Sequence, residues 1–127
     1  MKSYFVFISL ITASLISCKQ SSSIEDFDEK AWKEDYNACT NKRAELWKIL
    51  STKKEALKNL DDDAIVDVLG SPERNRQFSK GKKNYIYFLY PGSQCKGDTG
   101  KTEGKKLVIE FNAVGKPSII RESFLDY

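Results

Sequence analysis

A predominantly apolar stretch at the N-terminus, residues 5–16, preceded by Lys2 and followed by Ser17 and Cys18, decides how much of this chain is available to build a core. A positive start, about a dozen apolar residues and a small residue before the break form the layout of a secretory signal, and the stretch is shorter than the ~20 residues that span a bilayer. Residues 1–17 are therefore expected to be removed as a signal peptide. The remainder of the chain is long enough for one domain and too short for two.

Leu15-Ile16-Ser17-Cys18 resembles the lipobox of bacterial lipoproteins, in which the cysteine is acylated and becomes the first mature residue. The resemblance implies a lipid on Cys18 and attachment to a membrane through it. Lys19 is not the aspartate that retains lipoproteins at the inner membrane under the enterobacterial sorting rule, so an outer-membrane address is expected. The periplasmic side is the expected orientation and the cell surface the alternative. The chain has three cysteines. With Cys18 carrying lipid, Cys39 and Cys95 remain as a pair in an oxidising compartment, and a disulfide between them is expected; two reduced buried thiols are the alternative.

Most catalytic chemistry has no residues to draw on. The chain lacks histidine, both remaining cysteines are assigned to a bridge, and no paired carboxylates stand at a recognisable spacing, so the usual nucleophile and base combinations are missing. No catalytic residues, metal or cofactor are expected, and the protein is read as a non-enzyme. Asp61, Asp62 and Asp63 suggest a metal site at first sight, but consecutive carboxylates at a helix start point in different directions and read as cap and dipole partners. The formal charge of +3 is spread over interleaved acids and bases, which is no nucleic-acid footprint. Residues 96–106 are locally basic and form either a solvated loop or a contact for an anionic group. Within them Gly97-Asp98-Thr99-Gly100-Lys101-Thr102 imitates a phosphate-binding loop. The first glycine of that motif falls at Cys95 and the stretch leads into a strand, so no nucleotide is expected.

Residues 18–26 read as a flexible tether and residues 27–127 as a single α+β domain. From Asp28 onward Trp32, Tyr36, Cys39, Leu46 and Leu50 recur at spacings of three and four, with Arg43 in the same stripe, which predicts a long amphipathic helix with this stripe in the core. Thr52 and Glu55 have capping-box spacing for a second helical turn. Asp61 is expected to cap a short helix carrying Ile65, Val66 and Leu69 and stopped by Gly70 and Pro72. After Pro72 the period changes. Residues 84–90 are apolar on both faces, as in a central strand, and Leu107, Ile109 and Phe111 pair with Ile120 and Phe124 across a Gly115-Lys116 turn. Residues 74–79 can add one more strand through Gly81. The expected architecture is one long and one or two short helices on one face of a three- or four-stranded antiparallel sheet.

Leu60-Asp61, then Val68-Leu69-Gly70-Ser71-Pro72-Glu73, Tyr85-Ile86-Tyr87-Phe88 and Leu107-Val108-Ile109-Glu110-Phe111 behind a lipobox resemble the SmpA/OmlA (BamE-like) outer-membrane lipoproteins. That family places two helices on a three- or four-stranded antiparallel sheet, a fold shared with the beta-lactamase inhibitor proteins. More closely, Trp32, Asp35, Cys39, Arg43 and Leu50 ahead of Leu69-Gly70-Ser71-Pro72, with Tyr90-Pro91-Gly92-Ser93-Gln94-Cys95 after the strand, resemble small uncharacterised envelope lipoproteins with a cysteine pair. The longer first helix and the cysteine pair depart from the assembly-factor pattern. The resemblance implies a non-enzymatic protein that binds another envelope protein through its sheet face or an edge strand, with Tyr85, Tyr87 and Tyr90 as aromatic anchors if they stand exposed. The alternative is an inhibitor or sequestering protein of an envelope or foreign hydrolase, with residues 91–106 as its inserting element.

Overall fold

The computed structural model describes residues 22–97 and 104–125. Helices precede strands: α1 (Glu29–Glu34), α2 (Lys42–Leu50), α3 (Lys54–Lys58) and α4 (Asp62–Leu69), then β1 (Arg74–Gln77), β2 (Lys83–Phe88), β3 (Lys106–Phe111) and β4 (Pro117–Ser123). The strands form one antiparallel sheet in the order β1-β2-β3-β4. This is the α+β architecture expected from the change of period at Pro72.

The helices cover one face. Tyr85, Tyr87 and Leu89 of the β2 segment, Leu107, Ile109 and Phe111 of β3, and Ile120 of β4 share a single cluster with Trp32, Trp47, Leu50, Leu57, Ile65, Val68 and Leu69. Period-two alternation puts the odd-numbered residues of β2 and β3 on that face. Each large apolar side chain buried there contributes about 1.5–3 kcal/mol. Ile24 and Phe27 belong to the same cluster. The tether assigned to residues 18–26 is therefore corrected at its end, because Ile24 finds an apolar seat beside the helices.

The stripe over residues 28–50 is not one continuous helix. Asp28 Oδ1 accepts from Ala31 N at 2.9 Å and caps α1, which ends at Asp35. Asn37, Ala38 and Asn41 then take positive φ, and the chain turns through a short 3-10 segment before α2 begins. Asp35 makes the break possible. Its carboxylate accepts from Thr40 N at 2.8 Å, Thr40 Oγ1 at 2.7 Å and Arg43 N at 2.9 Å, so one side chain satisfies amides that an unbroken helix would have bonded internally. The break turns Tyr36 outward, so this stripe residue is exposed.

The capping box expected at Thr52 does not form, because the Ser51 and Thr52 hydroxyls donate back to Lys48 O and Ile49 O at the end of α2. Asp61 caps α4 as expected, its Oδ1 accepting from Ala64 N at 2.8 Å. Gly70 ends that helix with φ of 76°, a conformation costly for any residue with a Cβ. At the β3–β4 turn, a Cβ on Gly115 would meet Asp62 Oδ1 at 2.9 Å, so glycine lets the hairpin dock on the start of α4. Asp62 N donates to Gly115 O at 3.1 Å in the same contact.

Candidate functional site

Two features stand out from ordinary core packing, and they lie at opposite ends of β2. The first is a polar node at its C-terminal end. Arg43, buried in α2, donates from Nη1 to Glu73 Oε1 and to Phe88 O, and from Nε to Trp32 O at 3.0 Å. Glu73 also accepts from two backbone amides, Asn37 N on Oε1 and Phe88 N on Oε2, both at 3.1 Å. The Arg43 guanidinium lies 4.9 Å from the Trp32 ring centroid. Both the guanidinium and the carboxylate of this ion pair also meet backbone groups of other segments, so it ties the helical break, the start of β1 and the end of β2 together.

The Cys39–Cys95 disulfide closes the same end, with an S–S length of 2.02 Å. Cys39 sits in the exposed turn after the 3-10 segment and not on a core-facing helical stripe, because the break at Asp35 swings it out. Gln94 Nε2 reinforces the link by donating to Asn37 O at 3.0 Å and Tyr90 O at 2.8 Å. Burial works against the Asp35 carboxylate, yet the Thr40 hydroxyl, the Arg43 and Thr40 amides and the Arg43 charge outweigh it and hold its pKa below the usual value.

The second feature is the sheet face that carries no helix. Cα register places Arg74, Ile86, Val108 and Arg121 in one row across the strands, and Arg76, Asn84, Glu110 and Ile119 in the next. Ile86, Phe88 and Val108 are buried here outside the helix-facing cluster. Long polar side chains shield them: the Arg74 guanidinium stands 5.1 Å from the Phe88 ring, and Arg121 Nε donates to Glu110 Oε1 at 3.0 Å.

At the end of this face nearest the β1–β2 connection lies a depression of about 510 Å³, lined by Phe78, Lys82, Asn84, Glu110, Ser118 and Ile119 among others. Phe78 is 44% exposed and Ile119 47% exposed. They stand toward opposite edges of the sheet, Phe78 after β1 and Ile119 on β4. Asn84, directly opposite Glu110 in the register, also lines the depression and is only 6% exposed. Ser118 Oγ donates to Glu110 O at 3.0 Å.

The tyrosines expected to anchor a partner on the sheet face are located elsewhere. Tyr85 and Tyr87 are buried under the helices, Tyr85 against Phe111 at 4.7 Å between ring centroids and Tyr87 donating its hydroxyl to Gly70 O at 2.9 Å. Burial pushes the Tyr87 phenol pKa far up, so it stays neutral. Tyr90 is half-buried, its hydroxyl 3.2 Å from Glu122 Oε1. The correction follows from strand alternation, since Tyr85 and Tyr87 share the odd face with Leu89, and that is the face the helices take. Glu73, Asn84, Phe78 and Ile119 carried no sequence signal of their own; only Arg43, a charge inside an apolar stripe, announced that a buried partner was needed.

Cys18 lies outside the described residues, as do residues 98–103 of the basic loop and most of its imitation of a phosphate loop. Among the described residues no group of three or more potential metal ligands comes together, and no helix is long and apolar enough to cross a membrane. Asp62 accepts a hydrogen bond from Lys83 Nζ, which holds its carboxyl pKa below the usual value against burial. No family model, curated protein or solved structure matches this chain.

Proposed function

We propose that this protein is a non-enzymatic lipoprotein, anchored through a lipid on Cys18 to the periplasmic side of the outer membrane, that binds another envelope protein through the helix-free face of its sheet. The observation that carries the reading is the pair of exposed apolar side chains, Phe78 and Ile119, flanking a depression on the side of the sheet no helix covers. Apolar side chains that line a concavity, and do not merely dot a surface, are the usual basis of an interaction site. Ile119 also lies on β4, the terminal strand, so a polypeptide seated on the face can continue along that edge. The Cys39–Cys95 bridge suits an oxidising compartment and so supports export. The resemblance to BamE-like lipoproteins supplies the candidate partner class, a component of outer-membrane protein assembly, although a shared fold does not by itself carry function.

Photocrosslinking of the full-length chain in its native envelope tests this. A benzoylphenylalanine at Ile119 is expected to give a discrete protein adduct that requires Cys18, whereas the same probe at Val114, exposed on the β3–β4 turn, gives none. Equal labelling from both positions, or an Ile119 adduct unchanged by Cys18→Ala, would refute the reading. Mass spectrometry of the adduct decides whether the partner belongs to barrel assembly.

A further inference from the structure

We infer that the Cys39–Cys95 bridge is an exchangeable redox couple, opened at Cys39 by the thiolate of a dithiol protein while the rest of the domain stays folded. This chemistry belongs to the opposite end of β2 from the proposed binding face and does not depend on it.

The two sulfurs differ in access. Cys39 is exposed in the turn between α1 and α2, whereas Cys95 is half-buried, and neither belongs to the hydrophobic cluster. In thiol–disulfide exchange the incoming thiolate must reach one sulfur of the bridge, so access selects which of the two is attacked. Here it selects Cys39. No core side chain has to move first.

The domain is held independently of the bridge. On the Cys39 side the Asp35 carboxylate accepts from Thr40 N, Thr40 Oγ1 and Arg43 N, and Ala38 N donates to Asp35 O at 2.9 Å. Asn37 N is held by Glu73. On the other side the Cys95 amide donates to Gly92 O at 2.9 Å, and Gln94 Nε2 joins the two turns by donating to Asn37 O and Tyr90 O. None of these bonds involves a sulfur atom. The turn around Cys39 is one that needs such holding, because Asn37, Ala38 and Asn41 take φ of 67°, 58° and 64°, a left-handed conformation that is costly for a residue with a Cβ and persists only where neighbouring contacts over-determine it. A disulfide stabilises mainly by restricting the unfolded chain, so opening it leaves these native contacts in place. The reduced form therefore keeps its two thiols close to one another, ready to re-form the bond. An accessible sulfur on a scaffold that survives reduction separates a redox-active bridge from one that only staples a fold.

The exchange balances without any further reactant. A thiolate of the incoming protein attacks Cys39 Sγ, the S–S bond breaks, and Cys95 leaves as a thiolate that takes up a proton. The second thiolate of the incoming protein then attacks the mixed disulfide and releases Cys39. That protein is oxidised to a disulfide and this chain is reduced by two electrons; run in reverse, the same path installs the bridge.

The test treats the full-length chain in detergent micelles, without denaturant, with a thioredoxin lacking its second active-site cysteine, followed by an N-ethylmaleimide quench and peptide mass spectrometry. The probe is expected on Cys39, with maleimide on Cys95, about tenfold over the opposite arrangement. In a second arm dithiothreitol is expected to open the bridge at a rate that does not change with urea up to the foot of the unfolding transition, while the fluorescence of the buried Trp32 and Trp47 stays native. As a measure of access alone, the remaining thiol of Cys95→Ser should be alkylated about tenfold faster than that of Cys39→Ser, read on the respective peptides. Any of four results overturns the assignment: no opening of the bridge in the folded protein, a probe found on Cys95 or equally on both sulfurs, an opening rate that climbs with urea as unfolding does, or fluorescence of the reduced chain that matches the unfolded one.

Discussion

Glu73 is the residue whose removal most directly tests how the helical layer is held to the sheet. Its carboxylate accepts from Arg43, from the Asn37 amide and from the Phe88 amide. Glu73→Gln removes the carboxylate that Arg43 bonds directly and leaves only the more distant Asp35 charge, and breaking a buried pair on one side typically costs about 3–5 kcal/mol. In many proteins, replacing both partners by apolar residues is neutral or even stabilising. Here that rescue is expected to fail. The double variant Arg43→Met with Glu73→Leu removes the charges but strands the Asn37 and Phe88 amides, each at about 1–3 kcal/mol, so with a neutral charge replacement a net loss of about 2–6 kcal/mol should remain. Against a total stability of about 5–15 kcal/mol either loss is readily measured. Urea unfolding of the oxidised protein, followed by the fluorescence of the buried Trp32 that Arg43 overlies, gives the numbers. A double variant as stable as the parent would refute the reasoning, because it would mean the two amide contacts contribute nothing.

Two further outcomes are expected. The Cys39–Cys95 bridge closes a sequence separation of 56 residues, and the chain-entropy relation then gives about 4 kcal/mol, so Cys39→Ser with Cys95→Ser should lower the urea midpoint by about 1–4 M; a shift below about 0.5 M would mean that the polar node already restrains the loop without it. The Asp35 and Asp62 pKa values lie below their usual position and that of Lys83 above it, the last through its hydrogen bond to Asp62. Stability from the carboxyls is therefore complete above about pH 4 and lost as pH falls through their folded values, while that from Lys83 is complete below about pH 10 and lost as pH rises through its folded value. Urea midpoints from pH 2 to 11 should form a plateau with both limbs falling, and Asp35→Asn should flatten the acid limb; an acid limb unchanged by that substitution would show that Asp35 does not couple to folding.

The central strands were legible in the sequence because they announce themselves locally, whereas the polar β1 does not. Residues 84–90 and 107–111 read as strands from their run of β-formers, and the Asp61, Gly70 and Pro72 punctuation of α4 is a set of short-range signals with one structural solution. The break at Asp35 was not legible, because its cause is a contact set assembled by the turn itself: three donors from Thr40 and Arg43 converge on one carboxylate. Periodicity reads straight through such a break, since Trp32 and Leu50 are buried on either side of it. The tyrosines show a second limit. A strand apolar on both faces does not say which face the helices will take, so Tyr85 and Tyr87 pointed equally well to an open face or a core. The depression depends on residues from the β1–β2 connection, β2, β3 and β4 that are unremarkable one at a time, and only the register brings Asn84 beside Glu110 and Ile119.

That register also explains why the two features can coexist. Constraint is concentrated at one end of β2, where the disulfide, the Gln94 bonds and the Arg43–Glu73 pair join the helical break to Phe88 and the segment after it. At the other end the β1–β2 connection is held mainly by the Phe78 N to Lys82 O bond at 2.8 Å and by Lys83 reaching Asp62. Phe78 and Ile119, both more than two-fifths exposed, contribute less to stability than the apolar side chains buried under the helices. They lie at the end of the sheet away from the covalent bridge, so the binding surface proposed there draws on none of the groups that join the helical break to the end of β2.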